Sequence, residues 1–115
     1  MAVADKPSSD PESKYSRLDL RRQPKDHLIS GQAWPEGRLE DDAPKEARLV
    51  QELVKRLREA MGDRGLEQIE DLSGVNKTSI SRLLRGESWG TLPVIARLER
   101  VLGEDLWGTE HRKPQ

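Results

Sequence analysis

Two glycines, Gly65 and Gly86, bracket a stretch that reads GLEQIEDLSGVNKTSISRLLRG, and its apolar spacing leaves little freedom in how it folds. Leu66, Ile69 and Leu72 recur at helical spacing, with Glu67, Glu70 and Asp71 between them. Gly74 stands where that helix has to stop and the chain has to turn sharply, a place that favours a residue free to take positive φ. Val75 is positioned to plug the corner. Asn76 then starts a second helix as its N-cap, with a side-chain oxygen able to accept from the free N–H of Thr78 or Ser79. Ile80, Leu83 and Leu84 follow at i, i+3 and i+4 and give this helix one apolar stripe.

At about 100° per residue, the side opposite that stripe carries Thr78, Arg82 and Arg85, flanked by Ser79 and Ser81, with Lys77 in the first turn. Hydroxyls, an ammonium and guanidinium groups on one face are the groups that bind phosphates and base edges. A helix, a glycine turn and a capped second helix with a basic front are the parts of a helix-turn-helix unit.

The run SGVNKTSISRLLRG, preceded by LEQIEDL and followed by TLPVIARLERVLGEDLW, closely resembles the Cro/phage-repressor (XRE) class of DNA-binding domains. The resemblance covers about Glu46 to Trp107. It implies that Asn76 caps the recognition helix, that Lys77, Thr78 and Arg82 face the base edges, and that Ser79, Ser81 and Arg85 lie near the sugar-phosphate backbone. Asn76 is grouped with these backbone-side residues. Two positions depart from the family pattern. Leu66 stands where a DNA-clamping Gln is common, which removes one expected contact. Glu70 stands where a small residue usually packs between the two motif helices.

The remainder of the chain fits a small helical domain with tails. Of 115 residues, 33% are hydrophobic and 36% charged, lean for a chain packed over its whole length. The expected division is a flexible extension over 1–42, a helix-turn-helix domain over 43–108 and a polar tail over 109–115. The expected fold is all-α, a bundle of four to five helices with a largely disordered N-terminal extension. With no Cys there is neither a disulfide nor a thiolate metal site. No apolar run has the length of a signal peptide or a membrane span, so the expectation is a soluble, cytoplasmic protein. Net charge is −1, and the segment from Pro44 to Gly108 carries 11 basic and 11 acidic side chains. A neutral domain has to bind nucleic acid by arrangement of its charges rather than by their excess.

The first forty residues contain Pro7, Pro11, Pro24 and Pro35 and no sustained period. Tyr15, Leu18, Leu20, Leu28, Ile29, Trp34 and Leu39 are scattered anchors. They leave two choices: a flexible extension, or an arm that docks on the domain, on a partner protein, or in the minor groove through Arg21 and Arg22. Asp41, Asp42, Ala43 and Pro44 form a helix start. Leu49, Val50, Leu53, Val54, Leu57, Ala60 and Met61 then make a 3.6-residue stripe, with Lys55, Arg56 and Arg58 off it, on a solvated face or as phosphate contacts. Trp89, in the loop after the motif, is expected to pack on the core. Thr91 caps a further helix whose inner face is Leu92, Ile95, Leu98, Val101 and Leu102. Glu104 to Trp107 is expected to add one more turn.

Enzyme chemistry finds no support. His27 and His111 are far apart and fit no metal-ligand spacing, so both are expected on the solvated surface. No phosphate-binding Gly-rich loop or nucleophile elbow is present. Asp41/Asp42 and Glu70/Asp71 are adjacent acids that point in different directions. No cofactor or metal is expected. The sequence points to sequence-specific binding of double-stranded DNA by a homodimeric transcriptional repressor or regulator. The alternative is an antitoxin or partner-binding adaptor that uses its N-terminal extension, with DNA binding secondary or lost.

Overall fold

The computed structural model describes residues 18–106. Tyr15, Trp107, His111 and the tail over 109–115 lie outside the described residues. Four helices follow one another: α1 (Lys45–Met61), α2 (Leu66–Ser73), α3 (Lys77–Leu84) and α4 (Leu92–Leu102). Among the described residues there is no strand, only an isolated antiparallel bridge between Leu28 and Leu39. The fold is all-α. No described helix is long and apolar enough to cross a membrane.

The core forms where the apolar stripes converge. Val54, Leu57, Ile69, Ile80, Leu83, Leu98 and Leu106 are fully or almost fully buried. Each such side chain contributes about 1.5–3 kcal/mol by leaving water. Val75 is buried in the corner between α2 and α3, as its position demands. Gly74 takes the left-handed conformation at φ 76° and ends α2. The turn is also stitched by Ser73, which the spacing of apolar residues does not reveal. Its hydroxyl donates to the Ile69 carbonyl at 2.6 Å and accepts the Val75 N–H at 3.1 Å. Arg97 of α4 closes over the same turn, donating to the Ser73 carbonyl at 3.3 Å.

Several expected positions are corrected. Leu72, the last member of the α2 repeat, and Leu92, assigned to the inner face of α4, are 56% and 69% exposed. α2 is only eight residues long and α4 starts at Leu92, so each of these lies at a helix end that projects past the core. α1 starts at Lys45 with Pro44 as its cap position, after the acidic pair rather than at it. The segment 104–106 is not helical; the Leu106 N–H instead bonds the Glu99 carboxylate at 2.9 Å, which turns Leu106 into the core.

Of the described part of the first 42 residues, the stretch from Arg22 onward is docked on the domain, so there the docked-arm choice describes the chain. Leu18 and Leu20 are 52% and 59% exposed and do not act as anchors. A 3-10 turn, Pro24–His27, packs on α1. Trp34 joins the core cluster and lies over Gly86. The Lys25 N–H donates to the Gly86 carbonyl at 3.0 Å, and the Gln51 amide donates to the Gly37 carbonyl at 2.7 Å. Pro24 and Pro35 are fully buried. Such anchors are single side chains filling single recesses, which leaves no period in the sequence.

His27 is likewise a correction: it is 5% exposed, not a surface residue. It meets Trp89 edge-on with ring centroids 6.1 Å apart, while the Trp89 indole N–H donates to the Arg22 carbonyl at 2.8 Å. Burial, and then the charge of Arg22, hold its pKa below the ordinary 6.5, against the opposing pull of Glu40, Asp26 and Asp42. On acidification the unfolded chain therefore takes up this proton first. The stability is complete above pH 6.5 and is lost as the pH falls below it. Melting temperatures of the wild type should drop as the pH falls below about 6.5, with a slope of at most about 1.4 kcal/mol per pH unit from this residue. His27→Phe should flatten that part of the profile; an equal slope in both proteins would mean that His27 is not its source.

Candidate nucleic-acid interface

α3 is amphipathic because its sequence allows no other division. Ile80 and Leu83 are 0% and 1% exposed against the core, and Leu84 is half-buried. Asn76, Lys77, Thr78, Ser79, Arg82 and Arg85 are exposed, and Ser81 is half-exposed at the edge of the same surface. Asn76 acts as the N-cap, its Oδ1 accepting the Thr78 N–H at 2.7 Å. At the other end Gly86, at φ 76°, terminates the helix, and its N–H donates to the Leu83 carbonyl at 3.1 Å. The seven residues singled out from the sequence are thus brought onto one short helix, its cap and its end.

The cations of this surface are held in place by neighbours. Lys77 Nζ lies 3.0 Å from Glu67 Oε2, and this hydrogen bond raises the lysine pKa. The Lys77 backbone N–H donates to Glu70 Oε2 at 3.1 Å. Arg85 Nη2 pairs with Glu87 Oε1 at 3.1 Å, and Arg82 Nη2 donates to the Glu87 carbonyl at 3.2 Å. Glu67, Glu70 and Glu87 therefore border this candidate surface, and sequence reasoning did not assign them to it. Their separation from Lys77 across the turn, seven residues for Glu70 and ten for Glu67, hides them from helical-spacing rules.

The two departures from the family pattern also have structural roles. Leu66 is half-buried and packs on the core, so the start of α2 is anchored by an apolar contact. Glu70 does not disturb the turn, because its carboxylate reaches the first N–H of α3.

With this geometry in place, comparison with known families is decisive for the class. Residues 54–106 match a helix-turn-helix family model. This segment is a helix-turn-helix DNA-binding domain of the XRE class. The match takes in the second half of α1, all of α2, α3 and α4, and the buried Leu106. The helix-turn-helix proper is α2, the Gly74 turn and α3. The docked arm over 22–43 lies ahead of the matched segment. Comparisons with curated proteins and with solved structures return no match.

Proposed function

We propose that the helix-turn-helix domain binds double-stranded DNA sequence-specifically, with α3 in the major groove, and acts as a transcriptional repressor or regulator. What supports this most is the exposed face of α3, where hydroxyls and cations stand over a buried Ile80 and Leu83. Lys77, Thr78 and Arg82 are assigned to base edges; Asn76, Ser79, Ser81 and Arg85 to the sugar-phosphate backbone. An eight-residue helix reads few base pairs. A two-fold homodimer with recognition helices about 34 Å apart on successive major grooves supplies the rest.

Arg82 and Arg85 give the test, because their roles predict different losses. Arg82→Ala should cost about 1–3 kcal/mol on the preferred site and relax discrimination at one base pair. Arg85→Ala should weaken binding to all sequences alike and lower the slope of log affinity against log salt by about 0.9. Fluorescence anisotropy on a preferred duplex and a scrambled one, over a salt series, separates the two. If Arg82→Ala left discrimination untouched while Arg85→Ala abolished it, the base and backbone assignments would be wrong.

A further inference from the structure

Two cations of the α3 surface, Lys77 and Arg85, are already paired with carboxylates, and this observation carries an inference that rests on the DNA-binding function proposed above. Each carboxylate presents an acceptor oxygen to a cation that DNA would otherwise meet, with a base edge at Lys77 and a phosphate at Arg85. Glu67 does so at the Lys77 ammonium, at 3.0 Å, and Glu87 at the Arg85 guanidinium, at 3.1 Å. Glu87 also keeps Arg82 folded back, since its carbonyl accepts from that guanidinium at 3.2 Å. We infer that Glu67 and Glu87 are built-in competitors of DNA for these cations, and that they keep the affinity for arbitrary sequence low.

The physics of exposed ion pairs sets how this works. The Glu67 side chain is 80% exposed and the Lys77 side chain 48%. Glu87 is more enclosed, at 29% against 57% for Arg85. Pairs this accessible are held weakly, so a duplex displaces them without a large barrier. The displaced carboxylate nevertheless stays within a few ångströms of the phosphates, well inside the screening length of about 8–10 Å at ordinary salt, and repels them. A segment with as many acids as bases, 11 of each from Pro44 to Gly108, has no surplus of positive charge to offset that repulsion. Base contacts through Lys77, Thr78 and Arg82 are then required before binding becomes strong, which makes Glu67 and Glu87 determinants of selectivity. Glu70 is not among them, because its bond to the Lys77 N–H belongs to the helix start.

The experiment measures retention of a random-sequence duplex by the full chain and by E67Q/E87Q. The control is E46Q/E59Q, which changes net charge equally at exposed positions on α1. At about 0.1 M salt the E67Q/E87Q protein should bind the random duplex about tenfold more tightly than wild type, with an unchanged melting temperature. The control should shift binding by less than about twofold. Equal tightening in both variants would show an effect of net charge alone and overturn the inference. No tightening in E67Q/E87Q, with wild type still binding, would overturn it too and leave the DNA-binding function standing. Wild type and variants that all fail to retain duplex at low salt would overturn both.

Discussion

Gly86→Ala should lower the stability of the protein by about 2–4 kcal/mol, far more than the same change at another left-handed glycine. Two effects combine at this position. Gly86 has φ 76°, a conformation that costs any L-side chain about 1–2 kcal/mol. In addition, a Cβ there would lie 2.6 Å from Trp34 Cε2 and 2.7 Å from Cδ2, inside contact distance of an indole wedged between arm and core. Gly103 supplies the comparison. It shares the backbone conformation, at φ 68°, but nothing lies within 4 Å of its added Cβ. Gly103→Ala should therefore show the backbone cost alone, near 1 kcal/mol. For a domain of this size the difference amounts to about 5–20 °C in melting temperature, readable by circular dichroism. If the two variants melted within a couple of degrees of each other, the close packing of Trp34 on Gly86 would be wrong.

Trp34→Ala should cost about 3 kcal/mol and release the arm. The indole packs on the core cluster and covers Gly86. Hydrogen exchange reports the release locally. The Lys25 N–H, bonded to the Gly86 carbonyl at 3.0 Å, and the Ile29 N–H, bonded to the Arg38 carbonyl at 2.9 Å, should lose protection together. The Ile80 and Leu83 amides of α3 should stay protected relative to them. Combining Trp34→Ala with Gly86→Ala adds a second check. Once the indole is gone the clash is gone, so the double variant should be more stable than the sum of the single losses predicts. Strict additivity, or an arm still protected without Trp34, would contradict the docking described here.

The helical half of the molecule was legible in the sequence because its determinants are local and periodic. Asn76 caps α3 through the expected bond to Thr78, Gly74 turns the chain at positive φ, and Ile80 and Leu83 face inward. The arm was not legible. Pro24, His27, Trp34 and Pro35 are buried or packed on the core one by one, His27 beside Trp89 and Trp34 over Gly86, and no spacing rule encodes such contacts. Composition does not show that residues from Arg22 onward pack on the helices, because a lean overall composition does not show where the few apolar residues go. Leu72 and Leu92 failed for a related reason: helical period assigns a face but not how far along a short helix the core extends. At the candidate interface, the positions of the cations followed from the 3.6-residue repeat. Their pairing with Glu67, Glu70 and Glu87 depended on the crossing of α2 and α3 and on the fold-back after Gly86.

The most direct test of DNA recognition by α3 is selection from a random duplex pool by the full chain over a salt series, with the retained molecules sequenced. The expected result is an enriched palindrome whose half-sites lie about one helical turn apart, with one base pair of each half-site losing its preference in Arg82→Ala. Retention of no sequence over any other, by protein that is folded and helical, would contradict it.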